Sequence, residues 1–148
     1  MSTLFGAGIG VGATLLADRI RWNRERADRA LETRRQLYAE YTAALSRIRT
    51  ALNESAQASG PRDEEYERQV RELFLAPGAY ELRHQMAILA PAEVVEAARA
   101  TFVALRATRD CVLEGADADS HAYEASEDAN GAAVAELRRV MRRDLGVE

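Results

Sequence analysis

Two acid–histidine pairs have the residue types and the spacing that could bind a metal ion. Glu81 precedes His84 by three residues, and His121 precedes Glu124 by three residues. A spacing of three places both members of a pair on one face of a helix. Di-iron bundle proteins use Glu-x-x-His pairs on two helices together with two further glutamates. In the second pair the histidine precedes the glutamate, which is the reverse of the di-iron order, and the chain has 2 histidines in all. We therefore predict no metal site and expect these residues at helix surfaces or ends.

The segment from Asp117 to Asp128 is similar to a calcium-binding loop at its first positions only. Asp117 and Asp119 stand at the first and third positions, but Ala122 occupies the sixth, where such loops need glycine. Asp128 stands at the twelfth position, where a bidentate glutamate is needed. We therefore expect a solvated loop in which Asp119 or Ser120 caps the following helix.

The single cysteine, Cys111, is the one candidate thiol nucleophile of the chain. A reactive thiolate needs a base or a helix N-terminus beside it, and the sequence around Cys111 indicates neither. We predict a buried, inert thiol. The sequence also lacks a nucleophile elbow, a phosphate-binding loop and a zinc-binding pattern. These observations predict no catalytic residues, no cofactor and a protein that is not an enzyme.

Charge is distributed unevenly along the 148 residues, which are enough for one modest domain. Residues 18–35 contain seven arginines and four acids, which gives this stretch a net charge of +3. Because the whole chain has a net charge of −4, the remaining residues together carry −7. An acidic body argues against a nucleic-acid-binding domain, which normally presents a basic face. A single cysteine excludes an intrachain disulfide framework and is typical of a reducing compartment.

An uncharged run precedes this basic stretch. Residues 3–17 read TLFGAGIGVGATLLA, and as a helix they would span roughly 22 Å against a hydrocarbon core of about 30 Å. Bilayer thinning and snorkelling arginines can make up this difference. We therefore predict a membrane-anchor segment at 1–17. The alternatives are a tail that is disordered or packs on a protein partner, and a cleaved signal peptide, which the missing cationic start of the run disfavours. The anchoring side chains would be Leu4, Phe5, Ile9, Val11, Leu15 and Leu16.

The arginines that follow predict the orientation of this anchor. The positive-inside rule places residues 18–148 on the cytoplasmic side of the cytoplasmic membrane, as a single-pass protein. Each basic residue near an anionic membrane contributes about 1 kcal/mol to binding. We name the five arginines nearest the apolar run the arginine collar and expect it to contact anionic lipid: Arg19, Arg21, Arg24, Arg26 and Arg29.

Small residues inside the apolar run could support helix association. Gly6 and Gly10 fall on one helical face, and Gly8 and Gly12 fall nearly opposite. Small residues four apart let membrane helices approach closely, so these faces would allow a homo-oligomer. The alternative is that the glycines reflect composition alone.

A heptad pattern without glycine or proline follows this run up to position 58 and predicts one long helix that ends near Ala56. Apolar residues fill positions a, d and g, which is typical of a helix buried in a bundle rather than of a free two-stranded coil. Arg24 and Arg34 interrupt this stripe, so we expect the first turns to stand clear of the core. The apolar members from position 37 onward are Leu37, Tyr38, Tyr41, Ala44, Leu45, Ile48 and Leu52.

Three further helical regions follow. Pro61 is expected at the first position of a helix rich in early acids, which Pro77-Gly78 kinks or splits before it continues from Tyr80 to Leu89. Pro91 starts the next helix, and a last helix runs from about Ser120 to Leu145 before Gly146 caps it. The predicted inner face of the third region is Val95, Ala98, Phe102, Leu105 and Val112, with Arg99, Arg106 and Arg109 outside. That of the last helix is Tyr123, Ala125, Ala129, Val134, Leu137, Met141 and Leu145.

Taken together, these patterns predict an all-α fold without a sheet. A long N-terminal helix, formed by the membrane segment and the heptad helix, packs in an antiparallel bundle of three to four helices. The predicted domains are the anchor at 1–17 and a cytoplasmic bundle at 18–148.

The motifs RIRWNRERADRALETRRQLYAEYTAAL, ILAPAEVVEAA and the final RRDLG resemble small, uncharacterised actinobacterial proteins. In those proteins a short apolar segment precedes an arginine-rich helix with RRQLY-like residues. The resemblance covers most of the chain and implies an α-helical, membrane-tethered protein, with no activity to carry over. The apolar–basic junction, the bundle heptads and the lack of catalytic motifs lead us to expect a scaffold or adaptor for another protein. The alternative is a soluble regulatory or ligand-binding bundle whose apolar tail packs on a partner.

Overall fold

The structure, a computed structural model, describes residues 7–58, 60–75 and 78–147, with side chains described from residue 18 onward. It divides into two compact units, Met1–Arg35 and Gln36–Glu148. The described residues form five helices and no strand, which confirms the all-α prediction. The helices are α1 (Ala7–Gln57), α2 (Glu64–Glu72), α3 (Ala79–Leu89), α4 (Ala92–Leu113) and α5 (His121–Asp144).

Within the unit Gln36–Glu148, hydrogen bonds between side chains show that α1 and α5 run antiparallel. The hydroxyl of Tyr38 donates to Asp144 at 2.7 Å, and the hydroxyl of Tyr123 donates to the side-chain oxygen of Asn53 at 3.4 Å. As the residue number rises along α1, the number of its partner on α5 therefore falls.

The pair α4 and α5 is antiparallel in the same way. The hydroxyl of Thr101 lies 3.1 Å from the carbonyl oxygen of Ala133, and that of Thr108 lies 3.5 Å from the carbonyl oxygen of Ser126. Both threonines are buried on α4 and contact the backbone of α5 along their shared length. The connection between the two helices is short, as bundles prefer.

Helices α2 and α3 together form the remaining leg of the bundle. Arg62, just before α2, bonds to Asp117 beyond the end of α4, whereas Tyr80 on α3 packs edge to face on Phe102 with ring centroids 4.9 Å apart. The leg therefore runs antiparallel to α4. The unit Gln36–Glu148 is an up-down-up-down bundle in which the second leg is split into α2 and α3.

The core of this bundle follows the heptad pattern of the sequence. The seven a, d and g residues of α1 named from the sequence between Leu37 and Leu52 are buried as predicted, whereas Ala51, the next g position, is half-buried. Helix α1 ends one residue beyond the expected Ala56. The other long helices supply the facing side chains. In the unit Met1–Arg35, all side chains described from 18 to 30 are exposed.

The start of α2 differs from the prediction. The sequence placed Pro61 at the first helical position, but α2 begins at Glu64 and its N-cap is Asp63. The carboxylate of Asp63 accepts a hydrogen bond from the backbone N–H of Tyr66 at 3.0 Å. A side-chain cap of this kind satisfies an otherwise unpaired backbone donor, so the acid sets the boundary and the proline precedes it.

The last two helices start and end as predicted. Pro91 is the N-cap of α4, and the hydroxyl of Ser120 caps α5 by accepting from the N–H of Tyr123 at 3.3 Å. Beyond α5, Gly146 has φ +67 and donates to the carbonyl of Arg143, while Val147 donates to that of Arg142. This pair of bonds is the Schellman arrangement, in which glycine takes the left-handed conformation without a steric penalty.

Several predicted core positions are wrong by part of a turn. On α4, Val94 is buried and Val95 is half-buried, and on α5 both Ala125 and Ala129 are exposed while Asn130 is buried. Val134 and Leu145 are half-buried. Neighbouring apolar and small residues offer alternative faces of similar width on a single helix, and packing of one helix on its partners selects between them.

Candidate functional site

The arginine collar lies on a part of α1 where side chains are solvent-exposed. All five collar arginines are exposed. The guanidinium of Arg26 lies 5.0 Å from the ring centroid of Trp22, and Arg29 forms an i,i+4 ion pair with Glu25 at 3.6 Å. The Trp22 ring itself is 61% exposed. This stretch of helix therefore presents several cations and one large aromatic to whatever surrounds it.

The predicted anchor lies mostly beyond the side chains that the structure describes. Leu4, Phe5 and Gly6 fall outside the described residues, and so do the side chains of Ile9, Val11, Leu15 and Leu16. Gly8, Gly10 and Gly12 belong to the first turns of α1, where the backbone is helical. Among the described residues, none of the helices combines the length and the apolar character that crossing a bilayer requires.

The four residues considered for a metal site are exposed on two different helices. Glu81 and His84 lie on α3, and His121 and Glu124 lie in the first turn of α5. The Nδ1 of His84 lies 2.8 Å from the carbonyl oxygen of Tyr80 on its own helix. The part of the chain that the structure describes contains no group of three or more His, Cys, Asp or Glu side chains that could hold a metal ion.

The loop before α5 and the cysteine of α4 contact only neighbouring helices and loops among the described residues. Ser120 caps α5, which was one of the two caps predicted, and Asp117 forms an ion pair with Arg62.

Cys111 is half-buried rather than buried, with its sulfur 4.0 Å from the carbonyl oxygen of Ala122. The prediction of a buried thiol was therefore wrong, because the face of α4 beside the start of α5 leaves the Cys111 side chain partly exposed.

A polar cleft between α1 and α5 was not predicted from the sequence. Its volume is about 50 Å³, and Asn130 on α5 is its most buried polar residue, with 1% of its surface exposed. Leu105 of α4 contributes to its wall. We name it the Asn130 cleft and define it by Thr42, Leu45, Ser46, Arg49, Leu105, Asn130, Val134, Leu137 and Arg138.

Both polar atoms of the Asn130 side chain lack a hydrogen-bond partner among the described residues. A carboxamide has two N–H donors and an oxygen with two lone pairs. Leaving such a group buried and unpaired costs about 1–3 kcal/mol, and most buried polar groups in proteins are paired. The Asn130 side chain therefore calls for a water molecule or a ligand group beside it.

The electrostatics around the cleft come from one ion pair and one separate cation. The Nε of Arg49 donates to a carboxylate oxygen of Glu127 at 2.7 Å, and its Nη2 lies 2.7 Å from the same oxygen in an ion pair. The other oxygen of Glu127 is buried without a hydrogen-bond partner among the described residues. Burial, together with the charge of Glu127, raises the pKa of the neighbouring Tyr123 hydroxyl. Arg138 is exposed and forms no ion pair with the described residues.

One signal in the sequence could have revealed Asn130. It lies seven residues after Tyr123 and seven residues before Leu137, both of which were predicted for the inner face. A polar residue on an apolar heptad stripe often has a specific role, such as fixing helix register. Small residues surround it from Ala129 to Ala133, so the sequence does not show which side of this part of α5 faces the core.

Comparison with protein families, curated proteins and solved structures gives no match to this chain.

Proposed function

We propose that this chain is a non-enzymatic, membrane-tethered adaptor. In this proposal the N-terminal part of α1 binds the anionic cytoplasmic face of the cytoplasmic membrane, and the bundle Gln36–Glu148 binds another protein there. The single observation that carries the proposal is the exposure of all five collar arginines beside an exposed Trp22.

The charge pattern supports lipid as the surface that this helix contacts. Residues 18–35 carry a net charge of +3, whereas the bundle is acidic. At about 1 kcal/mol for each net basic residue near an anionic surface, this segment contributes roughly 3 kcal/mol. An acidic bundle is repelled by the same surface, so the collar is the part of the chain that an anionic bilayer would attract.

The aromatic side chain supports the same proposal. Tryptophan prefers the membrane–water interface, where its ring is apolar and its N–H can bond to head groups. Trp22 lies one turn from Arg26 and stacks on its guanidinium. A helix that is polar on all sides and makes no packing contacts is also weakly stable in water, so the exposed side chains from 18 to 30 favour a bound state for this segment.

The tether is strengthened by the apolar sequence from 3 to 17. Burial of its side chains in lipid adds a hydrophobic contribution that does not depend on salt, whereas the contribution of the collar is screened by salt. The two contributions can therefore be separated by experiment.

Vesicle flotation tests this proposal. The full chain should float with phosphatidylcholine vesicles that contain phosphatidylserine, and a variant with the five collar arginines changed to glutamine should float much less. The matched control changes five exposed bundle arginines to glutamine and should float like the unaltered chain. These control positions are Arg47, Arg68, Arg71, Arg99 and Arg106. Failure of the full chain to float, or an equal loss in both variants, would refute the lipid-binding proposal.

A second measurement distinguishes the forms of tethering. Membranes from cells that express the full chain, or a chain lacking residues 2–17, are washed with carbonate. Retention of the full chain and release of the shortened one would support an inserted anchor. Release of both, with flotation intact, would support surface attachment through the collar. Soluble behaviour of both chains without flotation would favour a tail that packs on a protein partner.

A further inference from the structure

We propose that the Asn130 cleft binds the carboxylate group of a short-chain monocarboxylate. Asn130 would contact the carboxylate from the floor of the cleft and Arg138 would contact it from the mouth. This inference is independent of membrane tethering, because every residue of the cleft belongs to the bundle Gln36–Glu148.

The burial of Asn130 indicates that something must occupy the space beside it. Both atoms of its carboxamide are unpaired by protein groups among the described residues, although the side chain is 1% exposed. Polar groups buried this deeply are almost always paired with protein, water or ligand. The occupant must therefore offer hydrogen-bonding atoms, which excludes a purely apolar molecule.

The volume limits the occupant to a few heavy atoms. The cleft measures about 50 Å³, whereas an apolar cavity that binds benzene measures about 150 Å³. A carboxylate group or a few water molecules can enter a space of this size. A nucleotide, a sugar or a larger cofactor cannot.

The charge of the lining favours an anion over a neutral or cationic group. Among the described residues that line the cleft, two are arginines, Arg49 and Arg138, and none is a carboxylate. Glu127, one turn before Asn130, already neutralises Arg49. Arg138 forms no ion pair with the described residues, so one positive charge at the mouth remains available.

Asn130 and Arg138 both line the cleft and both carry N–H donors. Asn130 and Arg138 are eight residues apart on α5, or about 12 Å along the axis, and long side chains on a helix lean toward its N-terminus. The guanidinium can therefore approach the space above Asn130. The planar fork of arginine and the N–H groups of the carboxamide can donate to the two oxygens of a carboxylate, whereas the carboxamide oxygen of Asn130 is itself an acceptor and needs a separate donor.

The remaining lining residues complete the specificity. The hydroxyl of Thr42 already donates to the carbonyl oxygen of Tyr38 at 2.8 Å. Ser46 lines the same cleft and makes no side-chain hydrogen bond among the described residues, so its hydroxyl is the donor available to the carboxamide oxygen of Asn130. The apolar part of the wall can contact a short alkyl chain. It consists of Leu45, Leu105, Val134 and Leu137.

Titration of the full, ¹⁵N-labelled chain with acetate, propionate and butyrate tests the proposal, with chloride at matched ionic strength as the salt control. We expect saturable shifts that centre on the side-chain amide of Asn130 and on residues of α1 and α5 that line the cleft. Acetamide, which has nearly the same shape but no charge, should not compete.

Variants separate the site from general charge effects. Asn130→Leu should remove binding while the chain stays folded, because leucine replaces an unpaired polar group in an apolar wall. Arg138→Gln should raise the Kd about fivefold, the loss expected for one partly exposed ion pair. The matched control Arg142→Gln, one turn further along the exposed face, should leave the Kd unchanged.

Two results would overturn the proposal. Shifts that increase linearly without saturation, or that chloride reproduces, would show that no carboxylate site exists. Exchange cross-peaks from the Asn130 amide to long-lived water, unchanged by carboxylate, would show that ordered water fills the cleft instead. Should Asn130→Leu fail to fold, Arg138→Gln and its control decide the question alone, since both side chains are exposed.

Discussion

The hydroxyl of Tyr38 donates a 2.7 Å hydrogen bond to the carboxylate of Asp144, which lies 106 residues later in the chain. Tyr38 is buried in the first core turn of α1, and Asp144 is the last residue of α5. This bond joins the first and the last legs of the bundle at one end. Because hydrogen bonds to charged groups are stronger than neutral ones, it defines how α1 and α5 are aligned along their length.

Replacement of Tyr38 by phenylalanine should therefore destabilise the bundle. We expect a loss of about 1.5–2 kcal/mol in the free energy of unfolding, measured by urea denaturation followed by circular dichroism. The control is Tyr66→Phe, whose hydroxyl donates to the neutral carbonyl of Ser55 at 3.0 Å and should cost about 1 kcal/mol or less. An equal loss in both variants would contradict the assigned role of the Asp144 charge.

Alkaline pH should destabilise the bundle through Tyr41. Its side chain is 0% exposed and its hydroxyl donates to the carbonyl of Ala98 at 3.0 Å. Burial raises the pKa of Tyr41 to about 12, and the charge of Arg83 opposes this only in part. Since the pKa is higher in the folded than in the unfolded chain, the stabilisation is complete below pH 10 and is lost as the pH rises toward 12. A difference of this size corresponds to about 3 kcal/mol.

Tyr41→Phe is the matched variant for this pH dependence. It should lose about 1 kcal/mol at neutral pH, where the hydrogen bond to Ala98 is missing, but its stability should fall less steeply above pH 10. The chain contains no lysine, so no amine titrates in the same window. Urea denaturation at a series of alkaline pH values measures both effects, and parallel curves for the two proteins would show that Tyr41 is not responsible.

Arg109 should stabilise the bundle although it was predicted to lie outside. Its side chain is 16% exposed and its guanidinium lies 5.2 Å from the centroid of the Phe74 ring. Replacement by alanine removes both the cation–π contact and the packing of the aliphatic stem, at about 1–2 kcal/mol. Arg106→Ala, at an exposed position of the same helix, should change stability by less than about 0.5 kcal/mol. Thermal denaturation of both variants compares them directly, and equal melting temperatures would contradict this assignment.

The sequence by itself determined those features of the fold that depend on neighbours along the chain. The heptad stripe from Leu37 to Leu52 repeats with the helical period, so its burial could be predicted without knowing which helices pack against it. The caps at Ser120 and Gly146 are also local, because each bonds to backbone groups within a few residues. The helix start at Asp63 was not predicted, because Pro61 and Asp63 are both residues that commonly begin a helix and the sequence does not show which of them does so.

Only the tertiary structure decided which side chains meet across helices. The burial of Asn130 depends on α1 lying against α5, and the burial of Arg109 depends on Phe74 in the turn after α2. No period along a single helix encodes such contacts, because they join residues that are distant in sequence and whose faces are chosen by packing. The candidate ligand site could therefore be identified only from the fold, whereas the arginine collar could be predicted from the sequence.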